Sequence, residues 1–138
     1  MTVRTFCCIC PLVVSLVLLG CSGASDTPDL GQVTGVVTKG TTPVTNATIV
    51  FTPEGEKSGA AATGRTNDQG EYSLTYTGGV KGAPVGMSKV KIVIEELSTD
   101  ESKPVPPPVM YLPEKSAAVI SGENVINFDL AGIKPKAE

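Results

Sequence analysis

The sequence predicts an all-β domain, a seven-stranded antiparallel β-sandwich, on three observations. From residue 32 onward apolar residues recur with a period of two, not 3.6. The runs that do so are short, and clusters of Gly, Pro, Asn and charge separate most of them, as in an antiparallel sheet protein. No segment of that region carries the broad apolar stripe of a surface helix.

Taken in order, Val33, Gly35 and Val37 alternate with Thr34, Val36 and Thr38 in a first strand, and a turn begins at Lys39-Gly40 and runs through Pro43. Ala47, Ile49 and Phe51 then alternate with Thr48, Val50 and Thr52. A turn region over residues 53–59 leads to a short third strand over residues 60–66. Tyr72, Leu74 and Tyr76 alternate with Glu71, Ser73 and Thr75, and Val90, Ile92 and Ile94 with Lys89, Lys91, Val93 and Glu95. A loop holding Pro104, Pro106, Pro107 and Pro108 precedes a short strand over residues 117–121. Ile126, Phe128 and Leu130, against Val125, Asn127 and Asp129, close the domain. The inward set of Val, Ile, Leu, Phe and Tyr is enough for a modest two-layer core.

The first residues follow a different rule. One positive charge, Arg4, precedes an apolar run over residues 6–19. That run is shorter than the roughly 20 residues a membrane span needs, and it matches the apolar part of a secretory signal. It ends in Leu18-Leu19-Gly20-Cys21, which resembles the lipobox of bacterial lipoproteins: an aliphatic residue, a tolerant position, a small residue, then cysteine. The resemblance implies that the Cys21 sulfur takes a diacylglycerol as a thioether and that cleavage follows Gly20. The freed amine then takes an acyl chain such as palmitate. Each buried methylene is worth about 0.8 kcal/mol, so two or three chains anchor a protein where one is marginal.

The expected organisation is a signal peptide over 1–20, a lipidated tether over 21–30, the sandwich over 31–133 and a tail over 134–138. The other cysteines, Cys7, Cys8 and Cys10, all lie in the leader, so no disulfide or Cys-based metal site is expected in the domain. Ser22 stands where an aspartate retains some lipoproteins in the inner membrane, which favours the outer one. The expected location is therefore the bacterial cell envelope, lipid-anchored, on the periplasmic or outer-membrane side.

The order of the pieces carries a second resemblance. A Gly-Val-Val first strand is followed by Asn46-Ala47-Thr48-Ile49-Val50-Phe51-Thr52-Pro53 and then by Thr66-Asn67-Asp68-Gln69-Gly70-Glu71-Tyr72-Ser73-Leu74. Gly82-Ala83-Pro84-Val85-Gly86 comes next, then Pro108-Val109-Met110-Tyr111-Leu112-Pro113, and finally a strand marked by Asn124, Phe128 and Leu130. Together these resemble the carboxypeptidase regulatory-like domain, in the form of the short planctomycete lipoproteins. The resemblance spans nearly all of the chain after the leader. It implies a transthyretin-like Greek-key sandwich and no agreed activity.

Candidate sites are few. The Thr66-Asn67-Asp68-Gln69-Gly70 run offers too few oxygen ligands for calcium and reads as a hairpin turn. Glu95, Glu96, Asp100 and Glu101 read as a solvated loop after a strand. Tyr72 and Tyr76 share the core face of Leu74, which leaves Tyr111, among prolines, as the one aromatic open to a ligand such as a sugar.

Related surface domains join a first-strand lysine to a last-strand asparagine. Here the residues would be Lys39 and Asn127 with Glu71, but alternation turns Asn127 and Glu71 outward. The chain has no histidine, which removes zinc peptidase sites and Ser-His-Asp triads. With 11 Lys and Arg against 14 Asp and Glu, net charge −3, no nucleic-acid partner is expected.

The sequence therefore leads to a non-enzymatic module without cofactor, metal or catalytic residue. It is held to the membrane through Cys21 and meets an envelope protein partner; the alternatives are a glycan- or small-ligand-binding module and, behind it, an enzyme of unrecognised kind.

Overall fold

The computed structural model describes residues 27–55, 59–95, 102 and 104–137. Cys21 and the whole leader, together with Glu96, Asp100 and Glu101, lie outside them. The described chain is all-β, in two sheets that share one core.

The strands are β1 Leu30–Lys39, β2 Thr42–Pro43, β3 Ala47–Pro53, β4 Ala62–Arg65, β5 Glu71–Ser73, β6 Ala83–Pro84 and β7 Gly86–Ile94. They continue with β8 Val109–Tyr111, β9 Ala117–Val119, β10 Gly122–Val125, β11 Phe128–Asp129 and β12 Pro135–Ala137.

The larger ladders belong to the sheet ordered β12-β8-β7-β3-β4, with β9 added to β7. Every pairing in it is antiparallel. β3 and β7 run against each other without interruption from Ala47↔Ile94 to Pro53↔Ser88. Their alternation puts Ala47, Ile49, Phe51, Val90 and Ile92 inward, all buried. Thr66 closes the end of the β3–β4 ladder: its hydroxyl accepts the Ala47 N–H at 2.8 Å and its own N–H donates to the Ala47 carbonyl at 2.9 Å. Pro135 and Lys136 on the β12 edge are residue types that discourage edge-to-edge aggregation.

The second sheet is organised around β1. Along one edge lie β6, β5 and β2, all antiparallel to it. Along the other lie β10 and β11, both parallel to it and in one continuous register, from Gly31↔Gly122 to Val37↔Phe128. The pairing of first strand with last is the departure from a wholly antiparallel pattern. The inner faces meet through Val33, Val37, Tyr72 and Leu74 on this side. Phe128 spans the layers, edge-on to Phe51 at 6.2 Å and stacked on Tyr72 at 6.4 Å.

Three expectations change. The fourth strand stops at Ser73; Thr75 makes only single bridges, to Thr63 and Lys81, before a 3-10 turn at Thr77–Gly79. The stretch around Tyr111, expected in an open loop, is strand β8, and the expected tail holds β12, which pairs with it through Pro135↔Tyr111. The end of the expected tether is also drawn in, since Leu30 pairs with Pro84 and the Asp29 carbonyl accepts the Val85 N–H at 2.8 Å.

Candidate functional site

A concavity of about 630 Å³ opens on the outer face of the β1 sheet. Alternation along β1 turns Thr34 and Val36 to that face, and β5 adds Glu71 and Ser73, their cross-strand partners. Val125 and Asn127 complete it from the other edge of β1, and Arg65 and Asn67 from the end of β4. Arg65, Asn67, Glu71, Ser73 and Asn127 are all exposed, so the surface is an open groove rimmed by hydrogen-bonding groups and one charge of each sign.

The floor of the groove is a break in the sheet. Between β10 and β11 the parallel ladder loses its main-chain regularity at Ile126 and Asn127, and side chains complete it. The Asn127 Oδ1 accepts the Val36 N–H at 2.9 Å, and the Tyr72 hydroxyl donates to the Ile126 carbonyl at 2.7 Å. The Ile126 N–H still reaches the Thr34 carbonyl at 2.8 Å.

Gly35 makes this crossing possible. A Cβ there would collide with the Ile126 carbonyl oxygen and stand 2.9 Å from the Tyr72 ring. Burial pushes the Tyr72 phenol above its ordinary pKa, so it stays a protonated donor.

The same device recurs along the last strand. The Asn124 Oδ1 accepts the Ile120 N–H at 2.9 Å, and its Nδ2 donates to the Gln32 carbonyl at 3.0 Å. The Asp129 Oδ1 accepts the N–H groups of Ala131 and Gly40, each at 2.9 Å, and these hold its carboxyl below its ordinary pKa. Asn and Asp are poor strand residues but good substitutes for a backbone acceptor. Their recurrence at 124, 127 and 129 was the signal in the sequence for a seam of this kind.

The expected site residues fall as follows. The Asn67 run is a turn: the Asn67 Oδ1 accepts the N–H groups of Gln69 at 3.0 Å and Glu71 at 2.9 Å, and Gly70 takes φ 75°. Asn127 and Glu71 are exposed, as alternation placed them, and both side chains are engaged, Glu71 by the Asn67 amide at 3.0 Å. Lys39 is exposed, and so is Glu95 at the end of β7.

Tyr111 departs from expectation. It is 4% exposed, part of the core, and only borders a second concavity of about 390 Å³ with Lys39, Leu130 and Lys134. Its placement in a free loop is corrected: β12 covers the strand that carries it. Tyr72 is a core residue, as its face implied, and Tyr76 packs partly buried against the core. Among the described residues no three of His, Cys, Asp or Glu gather where they could hold a metal ion.

No family model matches the chain, and no curated protein or solved structure matches it either.

Proposed function

We propose that the protein is a lipid-anchored, non-enzymatic β-sandwich of the bacterial cell envelope that works as a structural or protein-interaction module. The sandwich would be a transthyretin-like one of the carboxypeptidase regulatory-like kind. Its seven-stranded Greek-key topology belongs to the same proposal: some of the short segments continue one another, as β10 and β11 do along β1.

The anchor rests on the lipobox at Leu18-Leu19-Gly20-Cys21, which places an acylated Cys21 nine residues before the start of β1 at Leu30. The interaction reading rests on one observation. Among the described residues β10 pairs with β1 alone, so its outer edge is open, beside the groove and with Val125 74% exposed. An open edge lets an extended segment of a partner add as a further strand, and flanking polar groups then choose its side chains.

Two measurements test this reading. Intact mass and detergent partitioning of the protein from its membrane should show an acylated chain that begins at Cys21, both signals being lost in Cys21→Ala. A soluble, unacylated wild type would overturn the anchor. A photocrosslinker at Val125 should capture an envelope protein that one at Gly40, far from the β10 edge, does not. Equal capture at both positions would overturn the interaction surface.

The second reading, a glycan- or small-ligand-binding module, is favoured only by the hydrogen-bonding rim of the groove at Arg65, Asn67, Glu71 and Asn127. Titration with oligosaccharides, read against Arg65→Ala, tests it.

A further inference from the structure

Three of the large apolar side chains that remain exposed lie at one end of the sandwich, namely Val85 (42%), Met87 (48%) and Ile120 (64%). They sit on neighbouring strand ends. Met87 pairs with Ala118, itself exposed, while Val85 and Ile120 flank the rung Gly86↔Val119. Ile120 is not there by looseness. Both its backbone groups are held by Asn124, whose Oδ1 accepts its N–H at 2.9 Å and whose Nδ2 donates to its carbonyl at 2.8 Å. The same amide donates to Gln32 of β1 at 3.0 Å, so an exposed aliphatic side chain is presented from a turn fastened to the first strand.

This end is also where the chain departs toward Cys21. Leu30 and Gly31 pair with Pro84 and Ala83, Gly31 pairs with Gly122, and the Asp29 carbonyl accepts the N–H of Val85 itself at 2.8 Å. From Cys21 to Asp29 is eight residue steps, which span at most about 29 Å even when fully extended. An anchor at Cys21 therefore ties the end of the sandwich that carries Val85, Met87 and Ile120 to the bilayer by at most about 29 Å of chain, which ends at Asp29, next to the Val85 N–H that the Asp29 carbonyl accepts. The far end of β1 lies about 30 Å away along the strand.

We infer that Val85, Met87 and Ile120 form a membrane-docking face that rests in the interfacial layer of the bilayer carrying the Cys21 lipid. The partner is a lipid surface, recognised by burial of aliphatic side chains just below the headgroups. Docking fixes which way the sandwich points: the Lys39 end of β1 is held outward, and the groove over Val36 and Asn127 stands to one side of the membrane contact. The inference rests on the lipid-anchor reading of Cys21.

The test uses the full acylated protein on vesicles of phosphatidylcholine and phosphatidylglycerol containing brominated phosphatidylcholine. The chain has no tryptophan, so single substitutions report without background. Fluorescence from Met87→Trp and Ile120→Trp should be blue-shifted and strongly quenched by the brominated lipid. That from Thr41→Trp, in the turn at the other end of β1, should not. Adding Ile120→Asp to Met87→Trp should relieve the quenching while the protein stays on the vesicle. Weak and equal quenching at all three positions, with the protein still retained, would overturn the docking face and leave the anchor standing. An unacylated protein that does not stay on the vesicles would overturn the anchor and this inference with it.

Discussion

The two sheets reach the same burial by different means. Between β3 and β7 the main chain does the joining, pair after pair from Ala47↔Ile94 to Pro53↔Ser88, and the inward side chains fill space. Between β1 and the last strands the ladder breaks, and Tyr72, Asn127 and Asp129 supply the missing donors and acceptors. A sheet of the first kind asks mainly for alternation and for inward side chains that fill the core. One of the second kind depends on a few particular atoms, so the two should fail differently.

The largest effects should come from opposite edits. Phe51→Ala empties the middle of the core and should cost about 3–5 kcal/mol in denaturant unfolding. Gly35→Ala adds a single methyl, yet that carbon would meet the Ile126 carbonyl and the Tyr72 ring. It should cost about 3 kcal/mol or more. If Gly35→Ala proved neutral, the seam would be as tolerant as the β3–β7 ladder and the contrast would collapse.

Tyr72→Phe keeps the ring and removes the donor to Ile126, and should cost about 1–2 kcal/mol. It carries a pH signature as well. Burial raises the folded-state pKa of the phenol, so the unfolded chain releases its proton first, near pH ~10. Stability is therefore complete below that pH and falls as pH rises through it; Tyr72→Phe should flatten this alkaline loss, followed by unfolding curves at rising pH.

The regular sheet has one fault of its own. The Ser88 hydroxyl on β7 is buried and meets no hydrogen-bond partner among the described residues. Ser88→Ala should therefore stabilise the protein, by up to about 1 kcal/mol, seen as a raised Tm.

Asp129→Asn should show least. The N–H groups of Ala131 and Gly40 lower the folded-state pKa of an exposed carboxyl. Its contribution is present above the ordinary carboxylate range and is lost as pH falls through the lowered value. The substitution should only shallow the acid limb of a pH–stability curve, and an unchanged limb would show that the cap at Asp129 adds nothing to the seam.

What was legible in the sequence follows the same division. Val33 and Val37, Ala47, Ile49 and Phe51, and Val90 and Ile92 alternate openly, and all are buried. Each strand signal there is local. β8 was hidden because its own residues are flanked by prolines, and its outer partner, β12, is a short stretch near the C-terminus with no alternation to see. The early end of the fourth strand was hidden by Leu74 and Tyr76, which keep the period of two after the pairing has gone. In the groove, the outward direction of Glu71 and Asn127 was readable from alternation. Their meeting across β1 was not, because it depends on a register between segments about ninety residues apart, which no short window contains.

That register also has a consequence in time. A ribosome makes β1 first, but β1 gains its partners on the β10 side only after Phe128 and Asp129 have been made. Until then one side of the central strand of its sheet has bare amides and carbonyls, and the pairing that satisfies them closes nearly the longest loop the domain contains. Closure over such a loop is slow compared with a hairpin such as β1–β2. The first strand to be synthesised is thus among the last to be finished. A chain cut short before Gly122 would keep the whole β3–β7 ladder and still present an unfilled edge, open to a second unfinished copy.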